Sequence, residues 1–431
     1  MSMEPDFDVI VVGAGVAGSV AAYQLAQAGL SVALIDRGES PGSKNLSGGV
    51  LYCRVLSEIF PDFLSTAPVE RRIDRNRIVF LNGDSWVGLD YGDQRLYDGE
   101  TAVTVLRAKL DAWLAEQAET VGTMILSGVR VDSLLIEDGR TVGVKAGEEE
   151  LRSRVVIAAD GANCFLARRA GLWPDPTTAQ QAVGVKALIK LTPTQIEERF
   201  GVEGNHGVAY ALVGDCTQGV GGGGFLYTNT DSVSVGLVMR LDDLVSSGRK
   251  TLEIFDHFLQ HPYVDSLIRE GEFVEYGCHL VNEGGTAMMG EIVHDGLVII
   301  GDAAGLTLNT GLTVRGMDLA VGSARCAATA VVETITAGDT SAKGLQGYKT
   351  ALRTSFVGQD MSTYAKAPHF LENPRLYGDY GQLIADVMYG IFNLDTTNRQ
   401  HILGTARRAL TTSRVGLFTL AKDGFAGVRA L

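Results

Sequence analysis

Apolar residues in this chain fall into short runs, and several of the runs end at glycine. Val9 to Val12, in DVIVVGAG, are four apolar residues in succession, the pattern of a strand buried on both faces. From Val16 to Ala28 the pattern becomes Ala/Leu-rich and helical, and Gly29 is placed to end it. A second strand is expected from Ser31 to Ile35. Two later apolar strands stop at Asp160-Gly161 and at Gly301-Asp302. After Gly301-Asp302 the chain turns through a Gly/Thr/Asn-rich stretch and continues as a small-residue helix from about Val314. Residues 104–118 read as a helix with Arg107 near its start, and 253–268 as another. Residues 225–239, FLYTNTDSVSVGLVM, alternate as a strand entered through the run Gly221 to Gly224. That run permits close backbone approach or a tight hairpin entry.

Composition narrows the class. At 431 residues with 45% hydrophobic residues, the chain is long enough for two or three packed domains. It has 53 glycines and only 10 prolines, an excess that suits close approach of backbone to a nucleotide. The net charge of −14 argues against a general nucleic-acid binder. The five cysteines are scattered without a C-x-x-C pair, so no zinc ribbon or cubane iron–sulfur cluster is expected from this chain alone. Scattered thiols and an N-terminus that enters a strand directly lead us to expect a cytoplasmic protein. No apolar run reaches the roughly 20 residues of a membrane span. The histidines show no metal spacing; His257 and His261 are four apart with no third ligand in view.

Candidate chemistry begins at Gly13-x-Gly15-x-x-Gly18. Gly13 allows the tight turn, Gly15 lets a pyrophosphate approach the backbone, and Gly18 lets helix and strand pack closely. The helix start offers unpaired N–H groups and a positive dipole end. Asp36, closing the second strand, is placed to accept hydrogen bonds from a ribose diol. Strand, turn, helix, strand and acid form a complete dinucleotide-binding unit.

The GxGxxG turn, Asp160-Gly161 and Gly301-Asp302 together resemble the three signatures of the p-hydroxybenzoate-hydroxylase-like FAD superfamily. GSKNLSGGVLY (42–52), GGGGFLYTNTDSVSVGLVM (221–239) and GDAAGLTLNTGLTVRGMDLA (301–320) resemble the electron transfer flavoprotein–quinone oxidoreductase family, and ENPRLYGDY (372–380) resembles its short FixC-type branch. The resemblance implies an α/β fold: a Rossmann-like FAD-binding domain built from 1–40, 100–180 and 275–340. A mixed-sheet α+β domain on the substrate or quinone side would use 41–99 and 181–274, with a mostly helical region over 341–431. It implies FAD as cofactor, with the chemistry carried by the flavin. Asp302 would bind the ribityl chain, and the turn Asn309, Gly311, Leu312, Thr313 would lie beside the flavin ring. Lys44, Asn45, Ser47, Gly48 and Gly49 would face the ring or form a solvated loop. Arg107 would touch FAD or pair with Asp111. Arg37 and Val131 complete the cofactor-binding set with Asp160, Gly161 and Gly301.

The family's longer members carry a C-terminal cluster domain that this chain, with no cysteine after Cys326, does not contain. The resemblance therefore implies a two-subunit electron transfer flavoprotein and a small ferredoxin-like protein as partners, and quinone as acceptor, in the high-potential branch of an electron-bifurcating complex. The alternative is a stand-alone flavin reductase, dehydrogenase or monooxygenase acting on a small or lipid-like substrate, similar to the geranylgeranyl reductases. In those proteins a cysteine occurs where this chain has Ser47, and Cys53 reads as a small buried hydrophobe. The basic tail, with Arg407, Arg408, Arg414, Lys422 and Arg429, is read either as docking on an anionic membrane face or acidic partner, or as a helix packed on its own domain.

Overall fold

The computed structural model describes residues 4–45, 48–394, 396 and 398–431. The apolar runs form the parallel core of the first sheet. Leu297–Ile299, Glu149–Ala158, Phe7–Val12, Val32–Asp36 and Met124–Ser127 lie side by side in that order. Val9 pairs with Val155 on one side and Val32 on the other. Val9, Ile10, Val11, Leu34, Ile35, Val156 and Ile157 are fully buried, as strands covered on both faces require. The helices Val16–Gln27 and Met317–Ala337 pack against each other.

A second sheet runs in the order Glu272–Asn282, Gln181–Lys190, Ser232–Arg240, Gly222–Thr228, His206–Gly214, Val69–Asn82, Ala102–Leu106, Gly48–Tyr52. Only the His206–Gly214 and Val69–Asn82 pair is parallel among these neighbours. Its alternation sets two faces. Val185, Ile189, Tyr210, Leu226 and Leu237 form one core with Ile254, Phe255 and Phe258. Lys186, Gly236, Phe225 and Tyr227 occupy the opposite face, which turns toward the first sheet. Asn282 Nδ2, at the end of the edge strand, donates to the Asp302 carbonyl at 2.9 Å.

Four local expectations change. The 253–268 helix is two helices, Thr251–Gln260 and Pro262–Ile268, because Pro262 lacks the N–H that an uninterrupted helix needs and His261 is extended before it. Residues 225–239 are a hairpin rather than one strand. Asn229 N donates to Ser232 O at 2.9 Å, and its side chain bonds the Ser232 and Ser234 hydroxyls. The helix expected from Val314 begins at Met317, after Val314–Arg315 pairs with Leu308–Asn309. The helix expected from residue 104 begins at Arg107, after the strand Ala102–Leu106.

The C-terminal region carries the helices Asp379–Phe392, Ile402–Thr412 and Leu417–Ala430. Asp423 fastens the last of them: its Oδ2 accepts from Asn373 Nδ2 at 2.8 Å and Arg375 Nε at 2.7 Å, and also from the Tyr380 hydroxyl. No described helix is long and apolar enough to cross a membrane.

Candidate functional site

The glycines of the first turn divide by function. Gly13 has φ +105°, and a Cβ there would lie 2.3 Å from the Ala159 carbonyl oxygen. A Cβ on Gly18 would meet the Gly13 oxygen at 1.9 Å. Both are demanded by the fold itself. Gly15 is different, because its Cβ would find only Arg107 Nη2, at 3.5 Å. It caps the helix Val16–Gln27 without a side-chain bond, so the helix's first N–H groups open onto free space. Asp36 holds this turn from below: Oδ2 accepts from Ala14 N at 2.8 Å and Oδ1 from Gly38 N at 2.7 Å.

Arg107 pairs with Asp111, the second of its two expectations. Its Nε and Nη2 donate to the two oxygens of buried Asp111, each at 2.8 Å, while the guanidinium edge stands over Gly15. Asn45 Nδ2 donates to the same Asp111 Oδ2 at 2.5 Å, which ties the 42–49 loop to the helix Arg107–Thr120. Gly48 and Gly49 enter the strand that pairs with Ala102–Leu106; a Cβ on Gly48 would strike the Val105 carbonyl at 2.4 Å. Lys44 is exposed, and Ser47 lies outside the described residues. Val131 packs at the rim of the first core.

Asp160 and Asp302 are the two half-buried carboxylates of the strand ends. Burial pushes Asp160 up, against a downward pull from backbone N–H groups and Arg37. Its Oδ2 accepts from Leu166 N at 3.0 Å, whereas buried Oδ1 has no partner among the described residues. Gly161, at φ +78°, borders open space. Burial also raises Asp302, with Arg107 and Lys186 opposing. Gly301, at φ +61°, donates its N–H to Ser323 Oγ at 3.0 Å. In the following turn Asn309 Oδ1 accepts from Gly311 N at 2.8 Å, and Thr310 Oγ1 accepts from Thr313 N at 3.0 Å. Gly311 takes φ +76°, and Leu312 projects outward, exposed.

Several residues here escape a sequence reading. Lys186 faces Asp302 and Arg107 from the second sheet. Glu283 accepts from Asn309, and Arg315 joins Asp318 and Asp360 beside Tyr52. The signal for Lys186 was a cation in the middle of the apolar strand QAVGVKALIK; Glu283 gave none.

These residues fit FAD. An open helix start above Gly15, a partnerless buried oxygen on Asp160 and a carboxylate at Asp302 facing two cations mark out polar groups for a long dinucleotide. Bound FAD would supply two-electron redox chemistry; the chain would supply the anion site, the carboxylates and the fixed charges around it.

Comparison with known proteins agrees. Residues 6–202 match the FAD binding domain family, 181–281 the ETF-QO ubiquinone-binding family, and 367–431 the ETF-QO/FixC family C-terminal domain. The chain is 46% identical over 430 residues to the probable electron transfer flavoprotein-quinone oxidoreductase YdiS of Escherichia coli K12, covering 99% of each. It is 42% identical over 434 residues to Protein FixC of the same strain, covering 99% of this chain and 100% of that one. Among solved structures, a geranylgeranyl bacteriochlorophyll reductase-like protein from Thermoplasma acidophilum superimposes with a TM-score of 0.71 at 22% identity, covering 97% and 98%. The probable FAD-dependent monooxygenase pqsL from Pseudomonas aeruginosa gives 0.60 at 17%, covering 86% and 98%. These two likenesses establish the fold alone. On full-length sequence identity and the family matches together, the chain belongs to the electron transfer flavoprotein–quinone oxidoreductase/FixC family and is an FAD-dependent oxidoreductase.

Proposed function

We propose that the chain receives electrons from a two-subunit electron transfer flavoprotein, holds them on its FAD and passes them to a quinone. A separate small ferredoxin-like protein is a further partner, and the assembly serves as the high-potential branch of an electron-bifurcating complex. One observation carries this reading: the match to the ubiquinone-binding family over 181–281 covers the part of the second sheet that holds Lys186, which feels the charge of Asp302. The full-length identity to a protein named as a quinone oxidoreductase supports it.

Quinones reside in lipid, so the protein must reach a membrane surface. The C-terminal helix Leu417–Ala430 has the features for this. Its Asp423 and Ala430 side is buried. On the other side Leu417, Phe418, Ala421, Phe425 and Val428 fall within an arc of about 100°. Phe418 is 83% and Val428 85% exposed. Lys422 and Arg429 both border one edge of this arc, where a helix lying in an anionic lipid interface can reach the headgroups.

The test is anaerobic. NADH or NADPH added alone should leave the flavin oxidised, although dithionite reduces it. Reduced electron transfer flavoprotein should bleach it, and a soluble quinone should restore the colour. Rapid bleaching by a nicotinamide alone would instead make the chain a stand-alone enzyme.

A further inference from the structure

Lys186 sits in the middle of the strand Gln181–Lys190, and both of its cross-strand neighbours are glycine, Gly236 and Gly277. Glycine at 236 is required by the packing, because a Cβ there would lie 2.4 Å from the Phe225 ring. The ring fills that space and stacks on Tyr227, with centroids 5.0 Å apart and planes at 18°. Lys186 Nζ stands 5.6 Å from the Phe225 centroid. The result is a niche with glycine on both flanks and one aromatic wall, holding a single long cation.

Charged and titratable groups face this ammonium from three elements. Arg107 opens the helix Arg107–Thr120, Asp302 lies in the turn after Leu297–Ile299, and Glu275 and His279 come from the edge strand Glu272–Asn282. Arg107 is already paired with Asp111. Lys186 feels the opposite charges of Asp302 and Glu275. Its direction is set by the alternation that sends Val185 and Ala187 into the opposite core. A cation taken out of bulk water costs free energy unless a partner compensates it. Asp302 and Glu275 offset that cost only in part, since burial and Arg107 still hold Lys186 below its ordinary value, and Lys186 lies on the same side of the second sheet as the Asp302 charge.

We propose that Lys186 is the counter-charge to the reduced flavin: its ammonium stabilises the negative charge that builds on the cofactor and so raises the potential at which this chain accepts electrons. Lys186 forms no bond to the flavin. Two electrons from the donor together with one solvent proton would leave bound FAD with a single negative charge, and where the lysine is neutral a second solvent proton would bind its nitrogen. The inference requires only that FAD is held in this cleft, and it stands whichever donor or acceptor is used.

Burial, then Arg107, pushes Lys186 down to about 8, against the pull of Asp302 and Glu275. The holoprotein's midpoint potential should therefore fall more steeply with pH above about 8 than below it, because reduction there takes up an extra proton. The experiment is a spectroelectrochemical titration of the flavin across this range in the wild type, Lys186→Met and Lys186→Arg. Lys186→Met should shift the potential negative at neutral pH and remove the bend. Lys186→Arg should keep the neutral-pH potential near that of the wild type and also lose the bend. A Met variant with the wild-type potential and the wild-type bend would overturn the proposal. Should the Met variant fail to hold FAD, the Arg variant decides: a bend that survives in it overturns the proposal, and a bend lost with the potential kept supports it.

Discussion

The Asn309 side-chain amide donates to Glu283 at 3.1 Å, joining the turn after Gly301-Asp302 to the end of the second sheet's edge strand. The carboxylate is otherwise poorly compensated. Burial raises it to about 7, while the Asn309 bond and the Arg240 charge pull the other way. The folded value thus lies above the ordinary 4.5. The stability this group contributes is fully present below pH 4.5 and is lost as pH rises through about 7. Glu283→Gln should remove that slope, worth at most about 3 kcal/mol. Thermal melts of wild type and variant between pH 4.5 and 7 test it; parallel curves would show that Glu283 does not titrate in this window.

The two kinds of glycine in the first turn predict two kinds of variant. Gly15→Ala meets only the edge of Arg107, so the apoprotein should fold with an unchanged Tm. Its methyl group enters the space above the helix start, and FAD affinity should fall by roughly a hundredfold, about 3 kcal/mol. Gly13→Ala adds a methyl 2.3 Å from a carbonyl oxygen at φ +105° and should lower the Tm of the apoprotein itself. Flavin fluorescence titration and differential scanning calorimetry separate the two effects. Equal loss of Tm in both variants would contradict the division.

Asp423 shows how one carboxylate can secure a terminal helix. Burial raises it, but bonds from Tyr380, Asn373 and Arg375 outweigh burial and hold it below its ordinary 3.8. Its contribution is therefore present above pH 3.8 and is lost as pH falls through the lower folded value. Asp423→Ala removes the acceptor of all three and should cost about 2 kcal/mol. Limited proteolysis should cut the variant before Leu417 faster than the wild type. Unchanged cleavage would mean that apolar packing alone retains the helix.

What the sequence disclosed follows from how local each constraint is. Gly13, Gly15 and Gly18 answer to a turn a few residues long, so their spacing exposes them. The central strands of the first sheet, Phe7–Val12 and Val32–Asp36, are largely buried and read as continuous apolar runs. Pro262 should have divided the 253–268 helix, yet the apolar periodicity on both sides masked it. The Asn229 turn has no glycine and is built from side-chain bonds to Ser232 and Ser234, so FLYTNTDSVSVGLVM passed for one strand. Lys186 and Glu283 depend on contacts between residues far apart in sequence. Lys186 feels the charge of Asp302 across 116 positions, and no spacing rule spans that. The pairing of Arg107 with Asp111, one turn apart, was legible as an alternative; its simultaneous approach to Gly15 required the fold.

The exposed arc of the last helix makes the final prediction. Full-length holoprotein should float with vesicles that contain anionic phosphatidylglycerol and remain behind with purely zwitterionic ones. Salt should weaken the attachment, since Arg414, Lys422 and Arg429 contribute through a screened attraction of about 1 kcal/mol each. Phe418→Glu with Phe425→Glu should abolish flotation without moving the Tm, because both rings are exposed, at 83% and 65%. The flavin should still be reduced at the same rate by a soluble donor, while transfer to a membrane-embedded quinone falls at least tenfold. Binding that survives the double substitution would move the membrane contact elsewhere, first to the exposed Phe273, Val274, Tyr276 and Leu280 of the edge strand. Binding that is lost together with the flavin would show instead that the helix supports the fold, and that its apolar face serves the protein's own stability.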